Sequence, residues 1–366
     1  MSMKITFNNT IFYQQKRGGI SRYITCLASE FVKLNQNVNI IAPIHKNHFL
    51  KQFPKKYYSG IYISNFPLIS VIDKLSNYIV NRELKKNNPQ IIHDTYYSKD
   101  IYKPSISKKI ITVHDLIHEK FKKLYKNSED LIKLKRDAFK DCDHFICVSE
   151  NTKKDLLNFY NIDDKKVSVI YHGSDHFKNL KLKSEKFFDF PYLLYVGNRS
   201  KYKNFDKFLE VYSNSDKINK NFNLICFGGN QVSSNEINQI KKLKVRKKIF
   251  FINGSDDYLK NIYSNARAFI FPSAYEGFGL PLIESMSLNC PVFCSDKSSF
   301  PEVCANAAIL FDPDDKEEFK FKLENYLFDD EKLKQLKSRG LNHSEKFKWK
   351  DAAKKTLNLY KNLLEN

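Results

Sequence analysis

The sequence predicts an α/β protein with two doubly wound parallel sheets, and three observations carry that prediction. The chain has 366 residues, more than one hydrophobic core usually serves. Short β-branched or aromatic runs alternate with longer amphipathic stretches, the pattern of a parallel sheet covered by helices. The alternation occurs twice, on either side of DHFKNLKLKSEKFFDFP, a segment without period that reads as a linker. The expected division is a first domain over 1–174, a linker over 175–190, a second domain over 191–345 and a closing helical stretch over 346–366.

In the first half MKITFNNTIFY reads as the opening strand, QQKRGG as a loop and SRYITCLASEFVKL as a helix from about Ser21. NVNIIAP, PQIIHD, KKIITVHD and CDHFICVS follow as strands. Ser149 is placed to cap the helix SENTKKDLLNFY, and KVSVIYHG closes the half. The second half reads PYLLYVG, NFNLICFGG, KKIFFING, ARAFIFP and PVFCSD as strands separated by helices, then short elements around AAILFDP. Two helices are expected to finish the chain, the last from about Trp349 to Leu364.

Composition narrows the classes. Hydrophobic residues make up 42% and aromatic residues 14% of the chain, which argues against global disorder. No apolar run reaches about 18 residues, so no transmembrane helix is expected. Met1 to Asn9 reads as a strand that starts at once, and no signal peptide is expected. The seven cysteines are scattered, as reduced core thiols of a cytoplasmic protein would be. Cys290 and Cys294 lack a second ligand pair at zinc spacing, so no metal site is expected. The net charge of +20 speaks to partners rather than fold. Nucleic acid, an anionic membrane surface and an anionic substrate all fit, and a composition rich in Lys, Asn, Tyr and Ile supplies part of the excess by itself.

Open α/β sheets bind ligands at the carboxyl ends of their strands, and two such sheets in one chain would most naturally face each other across a cleft. The richest stretch there is ARAFIFPSAYEGFGLPLIESM. Glu276 and the Gly277–Gly279 loop follow a strand, and Pro281 suits the first turn of a helix. Glu284, eight residues after Glu276, is expected in that first turn, where the helix dipole favours a carboxylate in any case. The glycines allow close backbone approach, and a helix start offers free N–H groups to a diphosphate. YVGNRSKYKNF places Gly197, Arg199, Lys203 and Asn204 between a strand and a helix. FYQQKRGGISRY places Gly18 and Gly19 similarly, and His93-Asp94 and His114-Asp115 end two strands.

EGFGLPLIE after FPS closely resembles the donor-site signature of the family-four glycosyltransferases, retaining enzymes of the GT-B fold. GSDDYLKNIYSNARAFIFPS, YVGNRSKYKNF, TVHDLIHE, VSENTKKDLL and FKWKDAAKKTLNLY resemble further segments of that family. FYQQKRGGISRY, with Tyr13 and Arg22, is similar to a bacterial polysaccharide subgroup. YHGSD replaces the usual Tyr-Asn-Gly-Val-Asp, so His172 and Ser174 depart from the pattern. The resemblance implies a nucleotide-sugar donor held by the second domain. Glu276 would contact the donor sugar, Glu284 the ribose, and the loop of Gly277, Phe278, Gly279 and Leu280 the donor through its amides. Lys203, with Arg199 as partner and Gly197 and Asn204 beside them, would neutralise the diphosphate.

In the first domain the resemblance places the Gly18–Gly19 loop over the pyrophosphate and His114 beside the reaction centre. Asp115 would orient that imidazole or bind the acceptor, together with Tyr13 and Arg22, and the last helix would cross back onto this domain. Retention without a second positioned carboxylate favours front-face substitution over a covalent glycosyl-enzyme. YHGSD and the last helix would act as a hinge. Asp256-Asp257 and Asp312 to Asp315 read as turns or caps, so no cofactor or metal is expected. The basic, aromatic segments His45 to Tyr58 and Lys120 to Lys140 are expected to meet an anionic membrane and a lipid-linked or lipopolysaccharide acceptor. That makes the protein cytoplasmic and peripheral to the inner face of the membrane. GDP-mannose is the favoured donor, with UDP- and dTDP-sugars open. A nucleic-acid-binding protein would explain the charge but not the Glu276, Glu284 and Lys203 arrangement. An epimerase or phosphorylase would share the fold.

Overall fold

Most of the short apolar runs form strands that are buried on both faces, as central parallel strands covered by helices are. The computed structural model describes residues 2–65, 69–99, 101–177, 187–199 and 201–365, with only the backbone described over 69–73. The chain divides into two compact units, Met1–Gly173 with Trp349–Asn366, and Ser174–Lys348.

Unit 1 contains in order β1 (Lys4–Phe7), α1 (Thr10–Gln14), α2 (Gly19–Lys33), β2 (Asn37–His45), α3 (His48–Gln52), β3 (Tyr58–Tyr62) and α4 (Ile69–Asn87). β4 (Ile91–Asp94), β5 (Lys108–Val113), α5 (Ile117–Lys120), α6 (Ser128–Phe139), β6 (His144–Cys147), α7 (Glu150–Phe159) and β7 (Val167–Val169) follow. The strands pair in parallel in the order β3-β2-β1-β4-β5-β6-β7. The winding reverses between β1 and β4, which makes their carboxyl ends the switch point where ligands bind such sheets.

Unit 2 contains β8 (Tyr192–Val196), α8 (Phe205–Ser213), α9 (Asp216–Asn221), β9 (Asn223–Phe227), α10 (Ser234–Lys242), β10 (Ile249–Ile252), α11 (Asp256–Asn265) and β11 (Ala268–Phe271). Then come α12 (Leu280–Ser287), β12 (Val292–Ser295), α13 (Phe300–Cys304), β13 (Ile309–Phe311), α14 (Lys316–Leu327) and α15 (Asp330–Ser344). Its strands pair in parallel in the order β10-β9-β8-β11-β12-β13, with the switch point between β8 and β11. The final helix, α16 (Trp349–Glu365), belongs to unit 1. Its Trp349, Ala352, Ala353, Leu357 and Tyr360 complete the cluster that includes Phe7, Tyr23, Leu27, Phe31 and Ile91.

Several elements differ from the expectation. The opening run stops being a strand at Phe7, because the Asn8 side chain turns the chain by accepting from the Thr95 N–H at 3.0 Å. Thr10–Gln14 is therefore helical, and α2 starts at Gly19 rather than near Ser21. β3 was not expected. It is an edge strand whose residues alternate between half-buried and exposed, and its lysine-rich surroundings mask that period. Three helices, not two, follow β13.

Of the expected linker, Asp175–Phe177 forms a single 3-10 turn, whose Phe177 carbonyl accepts from the buried Lys260 ammonium at 2.9 Å. Phe190 stacks on Phe250. Residues 178–186 lie outside those described. Ser149 caps α7 by accepting from the Thr152 N–H at 3.0 Å. Asp256 and Asp257 occupy the first turn of α11 behind the Ser255 cap, and Asp315 caps α14.

Candidate functional site

In unit 2 the loops after β8 and β11 meet at the switch point. The Asn204 amide donates to the Pro272 carbonyl at 3.0 Å, and the Ala274 N–H donates to the Tyr202 carbonyl at 2.7 Å. This zipper brings the Lys203 ammonium onto the Glu276 carboxylate as an ion pair, with side chains only 13% and 16% exposed. The Lys203 head also lies over the rings of Tyr202 and Phe271, at 5.0 and 5.5 Å. Two serines hold the Glu276 backbone. The Ser298 hydroxyl donates to its carbonyl at 2.7 Å and the Ser299 hydroxyl at 3.0 Å. The Glu276 N–H in turn donates to Ser298 Oγ at 3.3 Å.

Gly279 is the N-cap of α12 in a left-handed conformation, φ +86°, and Pro281 lies in the first turn. A Cβ at Gly279 would stand 2.8 Å from Leu282 and 2.9 Å from Phe300, so glycine is required there for both backbone and space. Phe278 is buried and packs edge-on against Phe347, with ring centroids 5.9 Å apart. Gly277 and Leu280 flank this turn.

Glu284 is not in the first turn of α12, because the helix begins at Leu280. It sits in the second turn and is buried, where the helix dipole no longer accounts for it. Its carboxylate faces His176 Nε2 at 3.0 Å, a partner hidden in the aperiodic linker.

Arg199 is spent elsewhere. Its Nε pairs with Glu236 at 2.7 Å, Nη1 donates to the Gly228 carbonyl at 3.2 Å, and Nη2 to the Asn230 carbonyl at 2.6 Å. Glu236 also closes the capping box of α10 with Ser233. Arg199 thus straps the loops after β8 and β9 and, unlike Lys203, makes no hydrogen bond toward Glu276. Gly197 lies under the same strap, its N–H donating to the Phe227 carbonyl at 2.9 Å.

In unit 1 the switch point is knitted by Asn8, which donates to Asp94 Oδ1 at 2.7 Å and accepts from the Thr95 hydroxyl at 2.7 Å. The second Asp94 oxygen faces the buried Lys109 ammonium at 3.3 Å. Burial raises the Asp94 carboxyl to about 6, with Lys109 opposing. His93 is a core histidine. Its ring nitrogens meet Tyr360 Oη at 2.5 Å and Thr112 Oγ1 at 2.8 Å, and Thr112 continues to Tyr23 Oη at 3.0 Å.

His114 differs. It is buried, yet its Nε2 has no hydrogen-bond partner among the described residues, and burial holds its pKa at about 4 despite Asp115. Asp115 turns its Oδ1 to the backbone, accepting from the Ile117 N–H at 3.2 Å.

The Gly18–Gly19 turn opens α2 without a side-chain cap. Gln15 covers it, with its Oε1 accepting from the Ser21 N–H at 3.4 Å. Tyr13 is buried within α1, leaving little of it to meet an acceptor, and the Arg22 guanidinium lies 4.7 Å over the Phe49 ring. Among the described residues no cluster of three or more His, Cys, Asp or Glu side chains is arranged to hold a metal ion. Cys294 Sγ lies 3.8 Å from Cys304 Sγ. No helix among the described residues is long and apolar enough to cross a membrane.

Sequence reasoning had singled out Lys203, Glu276, Glu284 and His114, and had given no place to Asn8, His176, Glu236, Ser298 and Ser299. Asn8, Ser298 and Ser299 sit just beyond the carboxyl ends of β1 and β12, the signal that could have found them, whereas Glu236 lies in α10 and His176 in the aperiodic stretch.

Comparison with known proteins gives two family matches. Residues 17–176 match the model described as Glycosyltransferase Family 4, and residues 176–343 the model described as Glycosyl transferases group 1. The chain is 30% identical over 244 residues to the O-antigen chain mannosyltransferase RfbU of Salmonella typhimurium strain LT2, covering 66% of each chain. It is 32% identical over 173 residues to the O-antigen chain mannosyltransferase B of Escherichia coli, covering 46% of this chain and 45% of that one. The matched region thus spans between about half and two thirds of the length of these relatives. A solved glycosyltransferase from Rickettsia africae ESF-5 shares the fold over 100% of both chains, with TM-score 0.72 and 20% identity.

Proposed function

This chain belongs to the family-four, group 1 glycosyltransferases and has the GT-B fold, and from that footing we propose that it transfers a hexose from a nucleoside diphosphate to a saccharide acceptor of a bacterial cell-surface polysaccharide. Mannose from GDP-mannose is the favoured donor, in keeping with the relatives' mannosyltransferase names. The observation that carries the reading is the Lys203–Glu276 pair at the unit 2 switch point, beside the Gly279 turn. A cation and a carboxylate lie together where open sheets bind their ligands. The ammonium meets the charge that grows on the β-phosphate as the glycosidic bond breaks, and the carboxylate meets sugar hydroxyls. Glu284 takes the ribose diol, and His114 meets the sugar with a neutral imidazole.

In this reading the donor's C1–O bond breaks with both electrons leaving to the β-phosphate. The acceptor oxygen bonds to C1 on the same face and gives its proton to that departing phosphate. Anomeric configuration is retained, and transfer needs no metal, so EDTA is expected to leave the rate unchanged. Arg199 stays a strap and takes no part in the phosphate contact.

The lipid-linked acceptor and peripheral membrane association are supported by the β2–β3 edge. There Lys51, Lys55 and Lys56 lie over the rings of Tyr62, Tyr58 and Tyr57 at 4.5, 4.2 and 4.9 Å. The neighbouring Ile61 is 67% exposed. Flotation with anionic vesicles is expected to recover more protein than with neutral ones, and equal recovery refutes the membrane contact. Thermal shift against GDP-mannose, UDP-sugars and dTDP-rhamnose tests the central reading. Stabilisation by GDP and GDP-mannose is expected. Failure of every nucleoside diphosphate to stabilise the protein overturns it.

A further inference from the structure

His172 lies beyond β7 at the carboxyl edge of unit 1, in the YHGSD segment where its identity departs from the common family pattern. Its ring stacks on the His114 imidazole, with centroids 5.8 Å apart and planes inclined by 13°. The edge of Tyr23 meets both rings, at 5.1 Å from His114 and 4.7 Å from His172. Trp349 backs His172 at 5.9 Å and Tyr23 at 5.9 Å. The neighbouring residue must be glycine, because a Cβ at Gly173 would stand 2.2 Å from the Trp349 backbone nitrogen. Tyr23 is itself anchored through Thr112 and His93 to Tyr360. The two rings therefore sit in a cage fixed by Trp349 and Tyr360 of α16, and inside it His114 Nε2 has no partner among the described residues.

We propose that His172 is a positioning residue for His114, fixing the plane of that imidazole and keeping water from its face so that the unpaired Nε2 is presented to the donor sugar. The inference rests on the reading of His114 given above. Aromatic rings at this separation and tilt contribute directional contact, whereas an asparagine at 172 would offer no such face. The other titratable groups facing the pair are Asp115, His93 and the Tyr23 phenol. Burial is the main force that lowers both imidazole pKa values, with His114 disfavouring charge on His172 and on His93, and Asp115 opposing at His114.

The test compares His172→Phe, which keeps an apolar stacking ring, with His172→Ala, which admits water. Histidine NMR titration of the free protein and the pH profile of GDP-mannose turnover are the readouts. In His172→Ala the His114 pKa is expected to rise from about 4 toward the ordinary value of about 6.5. The acid limb of kcat should move up with it, and kcat should fall about 10- to 100-fold as the ring loses its plane. GDP affinity should be unchanged. His172→Phe should keep both the wild-type limb and most of the rate. An unmoved His114 titration in the alanine variant overturns the proposal, as does an equal fall in both variants with unmoved limbs. His114→Ala separates the two readings. If it retains turnover, the role given to His114 fails, while the NMR titration still decides whether His172 governs that ring.

Discussion

Removing the ammonium from the Lys203–Glu276 pair gives the sharpest test of the donor site. Lys203→Met keeps the apolar stem over Tyr202 and Phe271 and leaves Glu276, 16% exposed, without its cation. An unsatisfied charged acceptor at that depth costs about 1–3 kcal/mol. The double variant Lys203→Met/Glu276→Gln removes the orphaned charge, so the coupling energy of the cycle should fall in that same range of about 1–3 kcal/mol. Stability alone would not show function. A hydrogen bond from a charged donor contributes about 1.5–3 kcal/mol, so GDP should bind about 10- to 100-fold more weakly to the single variant. The double variant should share that weak binding while recovering stability. Urea denaturation and isothermal titration with GDP supply the two measurements. Wild-type GDP affinity in both variants would reduce the pair to a structural contact and refute the site.

Three further outcomes follow from other residues. Glu284→Gln should abolish discrimination between GDP and its 2′,3′-dideoxy analogue, and unaltered discrimination in equilibrium binding would remove Glu284 from the ribose. Gly279→Ala combines a left-handed backbone with contacts of 2.8 and 2.9 Å, and should destabilise unit 2 by about 2–5 kcal/mol in denaturant titration. A loss under about 1 kcal/mol would mean that the turn relaxes freely. Burial holds His45, His114 and His144 at about 4 and His93 at about 3, all in unit 1. Because these folded pKa values lie below the unfolded value of about 6.5, the unfolded state binds more protons through that window. Unit 1 should therefore be fully stable above about pH 6.5 and weaken as pH falls toward 4. Hydrogen exchange should show it opening before unit 2, and the reverse order would contradict the assignment.

The sheets were legible because buried parallel strands are nearly continuous apolar runs, as in YLLYV and AFIF. β3 was not, since an edge strand alternates only partly and its lysines resemble a loop. α1 hides in an apolar run that only the Asn8 contact to Thr95, far away in sequence, turns into a helix. At the site, Lys203 and Glu276 could be read from position after a strand. The fate of Arg199 could not, because its partners Glu236 and the Gly228 and Asn230 carbonyls lie about 30 residues along the chain. Glu284 was placed one turn too early, because Pro281 marks the helix start only to within a residue or two. His176 lay in a stretch whose lack of period gave no cue that it faces Glu284.

Unit 1 is discontinuous, with its first 173 residues separated from α16 by the whole of unit 2. On a ribosome that order matters. The unit 2 core cluster ends at Leu336, ahead of α16 in the chain. Unit 1 is completed later, because Trp349, Ala353 and Tyr360 of its core are made only after the whole of unit 2. Until they are made, the apolar face that α16 covers stays open, an aggregation hazard that lasts for the synthesis of one entire domain.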